Sequence, residues 1–313
     1  MEKPKKFNIW MAQIRAPFLI LAVLLVGIGI AFSFKYPTDY SEFRILNAIL
    51  LVIGIVSAHA SINLFNEYSD NFKTGIDSKT TQTPFSGGSK MISKGFTTPK
   101  QVKLVAISTL ILSFCIGIYF SFVSHWIIMV FAIIGGLTII FYTDFLSKIL
   151  LGELLSGFTL GTLVVMGAYI AMTAVPETAL SNLLPLEVVW VSIPPGILTL
   201  LLLFLNEFPD VEADKEGGRL HLVIMLGRKY AAYLYTLGII AVFGIIAMLA
   251  INSISSPWIC LALLPLPIAV KACLTAIKHG KDIKKLIPAL GGNVITVLAT
   301  DLLLVVAIVI DII

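Results

Sequence analysis

Long apolar runs fill most of the sequence, and they restrict the fold to one class. A helix that spans a membrane needs about 20 largely apolar residues, and the chain contains nine runs of about that length. Charged residues make up 13% of the chain, whereas soluble proteins average about 25%. We therefore predict an all-α polytopic membrane protein with nine transmembrane helices around a central cavity. The runs cover approximately residues 14–34, 45–68, 101–122, 126–143, 152–174, 187–208, 230–251, 257–276 and 288–310.

The basic residues predict the orientation of these helices. Lysines and arginines concentrate in cytoplasmic loops, and nine spans put 20 of the 22 on the same side as the N-terminus, leaving only Lys35 and Arg44 on the other. We expect a multi-pass protein of the cell membrane with a cytoplasmic N-terminus and its C-terminus on the opposite side. Residues 1–313 are expected to form a single domain, whose active-site loops face the cytoplasm at about 69–100, 143–152 and 209–229.

One five-residue pattern occurs twice, each time at the polar end of an apolar run. Residues 66–70 read Asn-Glu-Tyr-Ser-Asp and residues 206–210 read Asn-Glu-Phe-Pro-Asp. Each copy is followed by further acid and glycine, at residues 75–77 and 214–218. With nine spans both copies reach the cytoplasmic face, so we predict that they face each other in one site.

The spacing of the polar residues places them on helix faces. His59, Asn63, Asn66 and Asp70 recur at intervals of three or four, which forms one stripe of a helix. Such polar groups in a span usually face a cavity or a partner helix. The functional interpretation is that these side chains line the wall of a site. The alternative is that they form hydrogen bonds between helices, and this alternative is favoured for His59, which lies deepest in the membrane.

The second copy also places its polar residues at helical spacing. Asn206, Asp210 and Asp214 lie four residues apart, and Pro209 is expected to kink or end the helix. Carboxylates from both copies suit a hard cation such as Mg²⁺, which binds through one or two carboxylates, retains waters and bridges to phosphates. A solvated acidic loop edge is the alternative.

Basic and glycine-rich segments accompany the acids. Residues 84–89 read Pro-Phe-Ser-Gly-Gly-Ser, and their backbone N–H groups could bind an anion. Acidic residues that can bind a metal ion lie next to basic residues that can bind an anion. This combination indicates a ligand that contains both a metal ion and a diphosphate. The bases in these loops are Lys73, Lys79, Lys90, Lys94, Lys215 and Arg219.

Four residues outside the loops of the two copies are further candidates. Arg15 enters the first run and could contact the diphosphate, although an arginine there could also extend to the membrane surface. Lys148 is the sole base of its loop and could clamp the same anion, and Tyr142 could donate to it or shield a cation. Asp301 lies near the middle of the ninth run, where an acid is a functional candidate. It could bind an acceptor hydroxyl, or pair with Asn293 or His59.

These residues resemble the UbiA superfamily of intramembrane prenyltransferases across essentially the whole chain. Residues 66–77 look like the first Asp-rich motif of that family, and Asp210 with Asp214 looks like the second. The connection from Tyr142 to Glu153 is also similar. Within the family, residues 75–77 and 83–89 look most like the menaquinone-pathway dihydroxynaphthoate branch.

Three features depart from the family pattern. Thr74 stands where the commoner first motif has an aspartate, and the gap from Asp70 to Asp77 is one residue longer than expected for the branch. His221 stands where a threonine is usual. These departures concern the acceptor and the role of Asp77, and they leave the two-motif metal site intact.

The resemblance implies Mg²⁺-dependent transfer of an isoprenyl group from a polyprenyl diphosphate to a small aromatic acceptor such as dihydroxynaphthoate, for a quinone-type lipid. The implied partners are these substrates and membrane lipid, without nucleic acid. The implied catalytic residues are Asp70, Asp210, Asp214, Lys148 and Tyr142. The implied metal ligands are Asn66, Asp70, Asp77, Asp210 and Asp214. The implied diphosphate contacts are Arg15, Asn66, Lys73, Lys148 and Arg219, and the candidate acceptor contacts are Asn63, His59 and Asp301.

Other functions stay open at this point. Within the class, the acceptor could be a glycerol-phosphate ether lipid precursor. A secondary transporter would use acidic coupling sites near mid-membrane, but here both acidic copies lie near helix ends at one face. A CDP-alcohol phosphotransferase lacks support because its Asp-Gly-x2-Ala-Arg signature is absent from the sequence.

Overall fold

The computed structural model describes residues 5–38 and 45–313, and every regular element in these ranges is helical. The predicted all-α architecture is therefore confirmed, while Arg44 lies outside the described ranges. The α-helices are α1 Lys6–Gln13, α2 Ile20–Lys35, α3 Ile45–Tyr68, α4 Pro99–Val123, α5 Ile127–Phe141, α6 Gly152–Gly157, α7 Leu163–Thr173, α8 Leu186–Asn206, α9 Val211–Glu216, α10 Leu222–Ile251, α11 Leu266–His279 and α12 Ile283–Ile312.

Eight helical segments in the described part of the chain are long and apolar enough to cross a membrane. Each of them overlaps one predicted run, so the chain is a multi-pass membrane protein. The remaining run, 126–143, forms the shorter apolar helix α5. Its 15 residues extend about 22 Å, less than the ~30 Å of a hydrocarbon core.

Two helices begin well before their apolar runs. The run at 288–310 belongs to α12, which starts at Ile283 because the Asp282 carboxylate accepts a hydrogen bond from Lys285 N at 3.3 Å and caps the helix. Pro288 therefore lies inside the helix. The run at 230–251 belongs to α10, which starts at Leu222 and bends at Gly227, where φ is +72°.

The helices pack around α2 and α8, which carry much of the buried apolar core. α2 lies against α7 and α12, and α3 lies along α4, whose other faces are largely exposed. Small residues permit the closest approach, as they commonly do in membrane bundles. A Cβ on Gly196 of α8 would lie 2.0 Å from Thr162 Oγ1, so only glycine fits there.

Candidate active site

Both copies of the repeated pattern open onto one polar cavity with an empty volume of about 680 Å³. The structure thereby brings together the predicted acids and some of the predicted bases. The predicted site residues in its lining are Arg15, Asn66, Asp70, Asp77, Tyr142, Asp210, Asp214 and Arg219.

The first copy leaves α3 through a wide helical turn at Ser69–Lys73. Hydrogen bonds tie this turn to the loop after α5: the Ser69 hydroxyl donates to Asp144 Oδ1 at 3.0 Å, and the Thr143 hydroxyl donates to Asn66 Oδ1. The end of α3 is therefore fixed where its polar stripe reaches the cavity.

The loops that follow the two copies lie in direct contact. Gly75 adopts φ +66°, a conformation that favours glycine, and the turn that follows buries Ile76 and Asp77. The Ile76 side chain packs on the second loop, where a Cβ on Gly217 would lie 2.1 Å from Ile76 Cδ1. This contact holds the two acidic segments in register across the cavity.

The second copy lies where α8 ends and α9 begins. α8 stops at Asn206, as expected from Pro209, and the short helix α9 starts after Asp210. The continuous helical face predicted for these acids is therefore interrupted, because proline cannot donate the hydrogen bond that would carry α8 onward. Asp210 and Asp214 nevertheless both face the cavity.

A single guanidinium joins the two acidic copies. Arg219 Nη1 donates to Asp214 Oδ1 at 2.7 Å, and Arg219 Nη2 donates to Asp70 Oδ1. Burial disfavours the charge of Arg219, but the carboxylates of Asp70 and Asp214 prevail and raise the pKa of Arg219 above its usual value. Arg219 thus acts as a cation at the point where the two motifs converge.

Oxygens near Arg219 remain without partners among the described residues. Asp210 Oδ1 and Asn206 Oδ1 are buried and accept no hydrogen bond. Burial, followed by the negative charge of Asp214, raises the pKa of Asp210 to about 7. Buried oxygens without donors are costly, and this donor set fits a hard divalent cation.

The glycine-rich loop is anchored to the first copy and reaches the second. Glu67 accepts from Ser89 N at 3.0 Å and from the Ser89 hydroxyl at 2.5 Å, while Gly87 N donates to Asp210 Oδ2 at 3.3 Å. Gly87 and Gly88 have φ of +83° and +70°. The anchoring role of Glu67 was missed from the sequence, although its place in both copies of the repeat could have indicated it.

Asp77 is already engaged by the protein. Its buried carboxylate pairs with Lys90 at 3.2 Å and accepts from the Ser93 hydroxyl. Asp77 lines the cavity, but these contacts indicate that it also holds the loop in place.

Arg15 reaches the cavity because the chain breaks between α1 and α2. Arg15 adopts φ +53°, which is uncommon outside glycine. Asn63 Nδ2 donates to the carbonyl of Ile14 at 2.9 Å and thereby supports the break. Asn63 thus helps to fix the backbone conformation at Arg15. It also lines the adjoining cavity that is described below, together with Arg15 and Tyr142.

Lys73 and Lys148 do not line these cavities. Lys73 forms an ion pair with Asp144, and both side chains are more than 40% exposed. Lys148 is exposed in the turn Leu146–Lys148. A direct contact of either residue with a ligand in the cavity would require a change of side-chain conformation.

The polar cavity continues into the apolar interior. A second cavity of about 720 Å³, the middle cavity, shares Arg15, Asn66 and Tyr142 with the first. The middle cavity shares His59 and Leu160 with a third cavity of about 860 Å³, the apolar chamber, whose lining is almost entirely apolar. The buried His59 therefore lies at the junction between the polar and apolar halves.

Asp301 is fully buried, but it lines none of these three cavities. Neither carboxylate oxygen has a hydrogen-bond partner among the described residues. Asn293 instead accepts from Tyr235 and donates to the carbonyl of Leu201, each at 3.0 Å. The structure does not bring Asp301 to the two motifs.

Residues 22–292 match the UbiA prenyltransferase family. A 1,4-dihydroxy-2-naphthoate octaprenyltransferase from Bacillus subtilis (strain 168) is 27% identical over 74% of this chain and 72% of its own length. The enzyme of the same name from Escherichia coli (strain K12) is 27% identical over 96% of this chain and 94% of its own length.

Solved structures share the fold. A UbiA homolog from Aeropyrum pernix K1 aligns with a TM-score of 0.72 at 15% identity, over 94% of this chain and 98% of that one. A UbiA homolog from Archaeoglobus fulgidus bound to GPP and Mg²⁺ aligns with a TM-score of 0.59 at 14% identity, over 95% and 99%. The resemblance predicted from the two acidic motifs is confirmed, and the chain belongs to the UbiA prenyltransferase family of enzymes that transfer prenyl groups.

Proposed function

We propose that this protein transfers the isoprenyl group of a polyprenyl diphosphate to a small aromatic acceptor of the dihydroxynaphthoate type. The observation that carries the proposal is the pair of acidic motifs facing one polar cavity that continues into an apolar chamber. A polyprenyl diphosphate likewise combines a charged diphosphate with an apolar isoprenoid tail. The two bacterial relatives are 1,4-dihydroxy-2-naphthoate octaprenyltransferases, which supports the choice of acceptor.

The proposed cation ligands are Asp70, Asp210 and Asp214, with Asn66 and Asp77. The orphaned Asp210 Oδ1 and the Arg219 guanidinium held between the motifs support a cation at this position. Mg²⁺ bound there would neutralise the diphosphate and make it a better leaving group, in keeping with the Mg²⁺ and GPP bound by the A. fulgidus homolog.

The protein's own groups would bind and orient the donor. Arg15 and Arg219 supply positive charge at the cavity. The N–H group of Gly88, and that of Gly87 once it leaves Asp210 Oδ2, would supply donors for the diphosphate oxygens. Tyr142 lies where the polar and middle cavities meet, so its phenol can donate to the diphosphate or face the allylic carbon. Lys73 and Lys148 would contribute at longer range.

The apolar chamber would hold the isoprenoid tail and exclude water from the allylic cation. Bond breaking leaves positive charge on the prenyl group, and the electron-rich ring of the acceptor attacks it and then loses a proton. Asn63 and His59, at the middle cavity, are the proposed acceptor contacts. Asp301 lines none of the three cavities. Any effect of Asp301 on the reaction would therefore be transmitted through α12 and not by contact with the acceptor.

We further propose that α5 crosses the membrane as a ninth span with help from the turn that follows it. The N-terminus and the site loops then face the cytoplasm from one domain in the cell membrane, with the C-terminus on the opposite side. The distribution of the basic residues supports this topology.

Product analysis tests the function. Purified protein in detergent is incubated with geranylgeranyl diphosphate, Mg²⁺ and either dihydroxynaphthoate, hydroxybenzoate or a glycerol-phosphate acceptor, and products are read by mass spectrometry. We expect a prenylated naphthoate that disappears with EDTA and in Asp210→Asn, but not in Asp282→Asn, since asparagine also caps helices well. Diphosphate release without that product would reject the acceptor, and no release from folded protein would reject the transferase.

A further inference from the structure

A second group of side chains that could bind a metal ion lies beside the acidic motifs. These side chains have no role in the reaction proposed above. Glu153, Glu207 and His221 each offer one ligand atom within 4.8 Å of the others. Glu153 opens α6, Glu207 follows α8 and His221 precedes α10, so three separate helix ends bring them together.

These side chains are buried and incompletely satisfied. Their exposed fractions are 1% for Glu153, 9% for Glu207 and 3% for His221. Glu153 Oε2, Glu207 Oε2 and both ring nitrogens of His221 lack hydrogen-bond partners among the described residues. Two buried carboxylates beside an imidazole must have their charge balanced, by a bound cation or by protons, because an uncompensated buried charge is strongly unfavourable.

We propose that Glu153, Glu207 and His221 bind a divalent transition-metal ion of the Zn²⁺ type, at a site separate from the one between the aspartates. Two carboxylates and a neutral imidazole would leave such a site electrically neutral. The imidazole nitrogen selects against Mg²⁺, which prefers oxygen ligands, and suits Zn²⁺ and its neighbours in the first transition row.

The separation between Glu207 and His221 agrees with this ligand set. Metal–ligand bonds of about 2.0–2.1 Å in a tetrahedral site place ligand atoms about 3.3 Å apart. Glu207 Oε2 and His221 Nδ1 are 3.3 Å apart. Glu207 and His221 also line the polar cavity, which leaves a route for the ion and a position for water or another ligand.

The surroundings match those of metal-binding side chains. The second nitrogen of a metal-bound histidine usually donates to a carboxylate, and the carboxylate ligands are themselves hydrogen-bonded. His221 Nε2 lies 3.3 Å from Asp214 Oδ2, and Glu153 Oε1 accepts from Leu222 N at 2.7 Å. An ion on Nδ1 would leave the proton on Nε2, from which a small rotation of the ring would let it donate to Asp214.

Cobalt binding to the full-length protein tests the proposal. Co²⁺ bound by an imidazole and carboxylates at low coordination number absorbs visible light much more strongly than octahedral Co²⁺ bound by oxygens. Purified protein is titrated with Co²⁺ in excess Mg²⁺, which keeps the aspartate site filled. We expect strong absorption that saturates at one equivalent and is displaced by Zn²⁺.

Variants identify the ligands. Glu207→Gln and His221→Gln should lose the absorption, whereas Asp210→Asn and the matched controls Glu212→Gln and His279→Gln should keep it. Circular dichroism and gel filtration establish that each variant is folded. Wild-type protein without the strong absorption, its loss in Asp210→Asn, or its persistence in folded Glu207→Gln and His221→Gln would overturn the proposal. The first of these outcomes would mean that protons shared among the three side chains balance their charge.

Discussion

Replacing Arg219 by glutamine should make the stability of the protein depend on divalent cations. Arg219 holds Asp70 and Asp214 together, and its side chain is 14% exposed, compared with 18% and 4% for the two acids. Glutamine retains a polar side chain but removes the charge, which leaves two partly buried carboxylates facing each other. A bound cation can replace what the substitution removes.

The size of the effect follows from distance and burial. At an effective dielectric constant of ~20, a contact of 2.7 Å carries about 6 kcal/mol of attraction before desolvation is subtracted. Breaking a buried pair typically costs about 3–5 kcal/mol, and the partial exposure of Asp70 favours the lower end. We expect a loss of about 3 kcal/mol in EDTA. Mg²⁺ at about 100 times the dissociation constant of the variant should restore roughly 2.7 kcal/mol. The wild type should gain less at the same Mg²⁺ concentration, because Arg219 competes with the cation for Asp70 and Asp214.

Unfolding in detergent, followed by circular dichroism with EDTA or with Mg²⁺, measures both quantities. Lys79→Gln is the matched control, because Lys79 pairs with Glu216 at the same 2.7 Å but with side chains 53% and 60% exposed. That variant should lose less than about 1 kcal/mol under either condition. A loss of unfolding free energy in EDTA as small as that of the control would refute the role given to Arg219. So would a difference in unfolding free energy between Arg219→Gln and the wild type that Mg²⁺ does not narrow.

Three further predictions follow from single contacts. Because the pKa of Asp210 is raised to about 7, its contribution to stability without metal is fully present below pH ~4 and is lost as pH rises through about 7. Mg²⁺ affinity should fall about tenfold per pH unit below 7, with both effects absent from Asp210→Asn in unfolding and Mg²⁺ titrations. Ser89→Ala should remove one of the two hydrogen bonds that hold the glycine-rich loop to Glu67, cost about 1–3 kcal/mol and raise the KM for the diphosphate donor in steady-state assays. Gly196→Ala should lower the unfolding temperature because its Cβ meets Thr162 Oγ1, whereas Gly244→Ala, with no atom within 4 Å of its Cβ, should be neutral or stabilising by up to about 1 kcal/mol.

Much of the fold was predictable because a membrane-spanning helix can be recognised in the sequence by its length and hydrophobicity. Run boundaries were less certain: α12 extends beyond its apolar run because Asp282 caps it, and the break at Gly227 within α10 has no hydropathy signal. The length of a run also does not say whether the chain stays helical through it, which is why α5 is shorter than the run that predicted it.

The site was predictable to the extent that it rests on the repeat. Two copies at equivalent positions indicated a shared cavity, and Asp70, Asp210 and Asp214 line it. The partners of the bases could not be predicted, because they depend on side-chain direction across loops of irregular geometry. Lys73 turns to Asp144, and Arg219 turns inward.

The inward position of Arg219 follows from the electrostatics of the repeat itself. Two acidic segments brought to one cavity repel each other when they are ionised, and the repulsion grows as water is excluded. A counter-charge from the chain lets the acids stay ionised when no metal is bound, and a base that follows the second copy at short range can supply it without a separate structural element. Arg219 is suited to this position because its planar guanidinium group can donate to one oxygen of each motif. A lysine there would offer a single ammonium group, so Arg219→Lys should bridge the motifs less well and should need Mg²⁺ more than the wild type does, although less than Arg219→Gln.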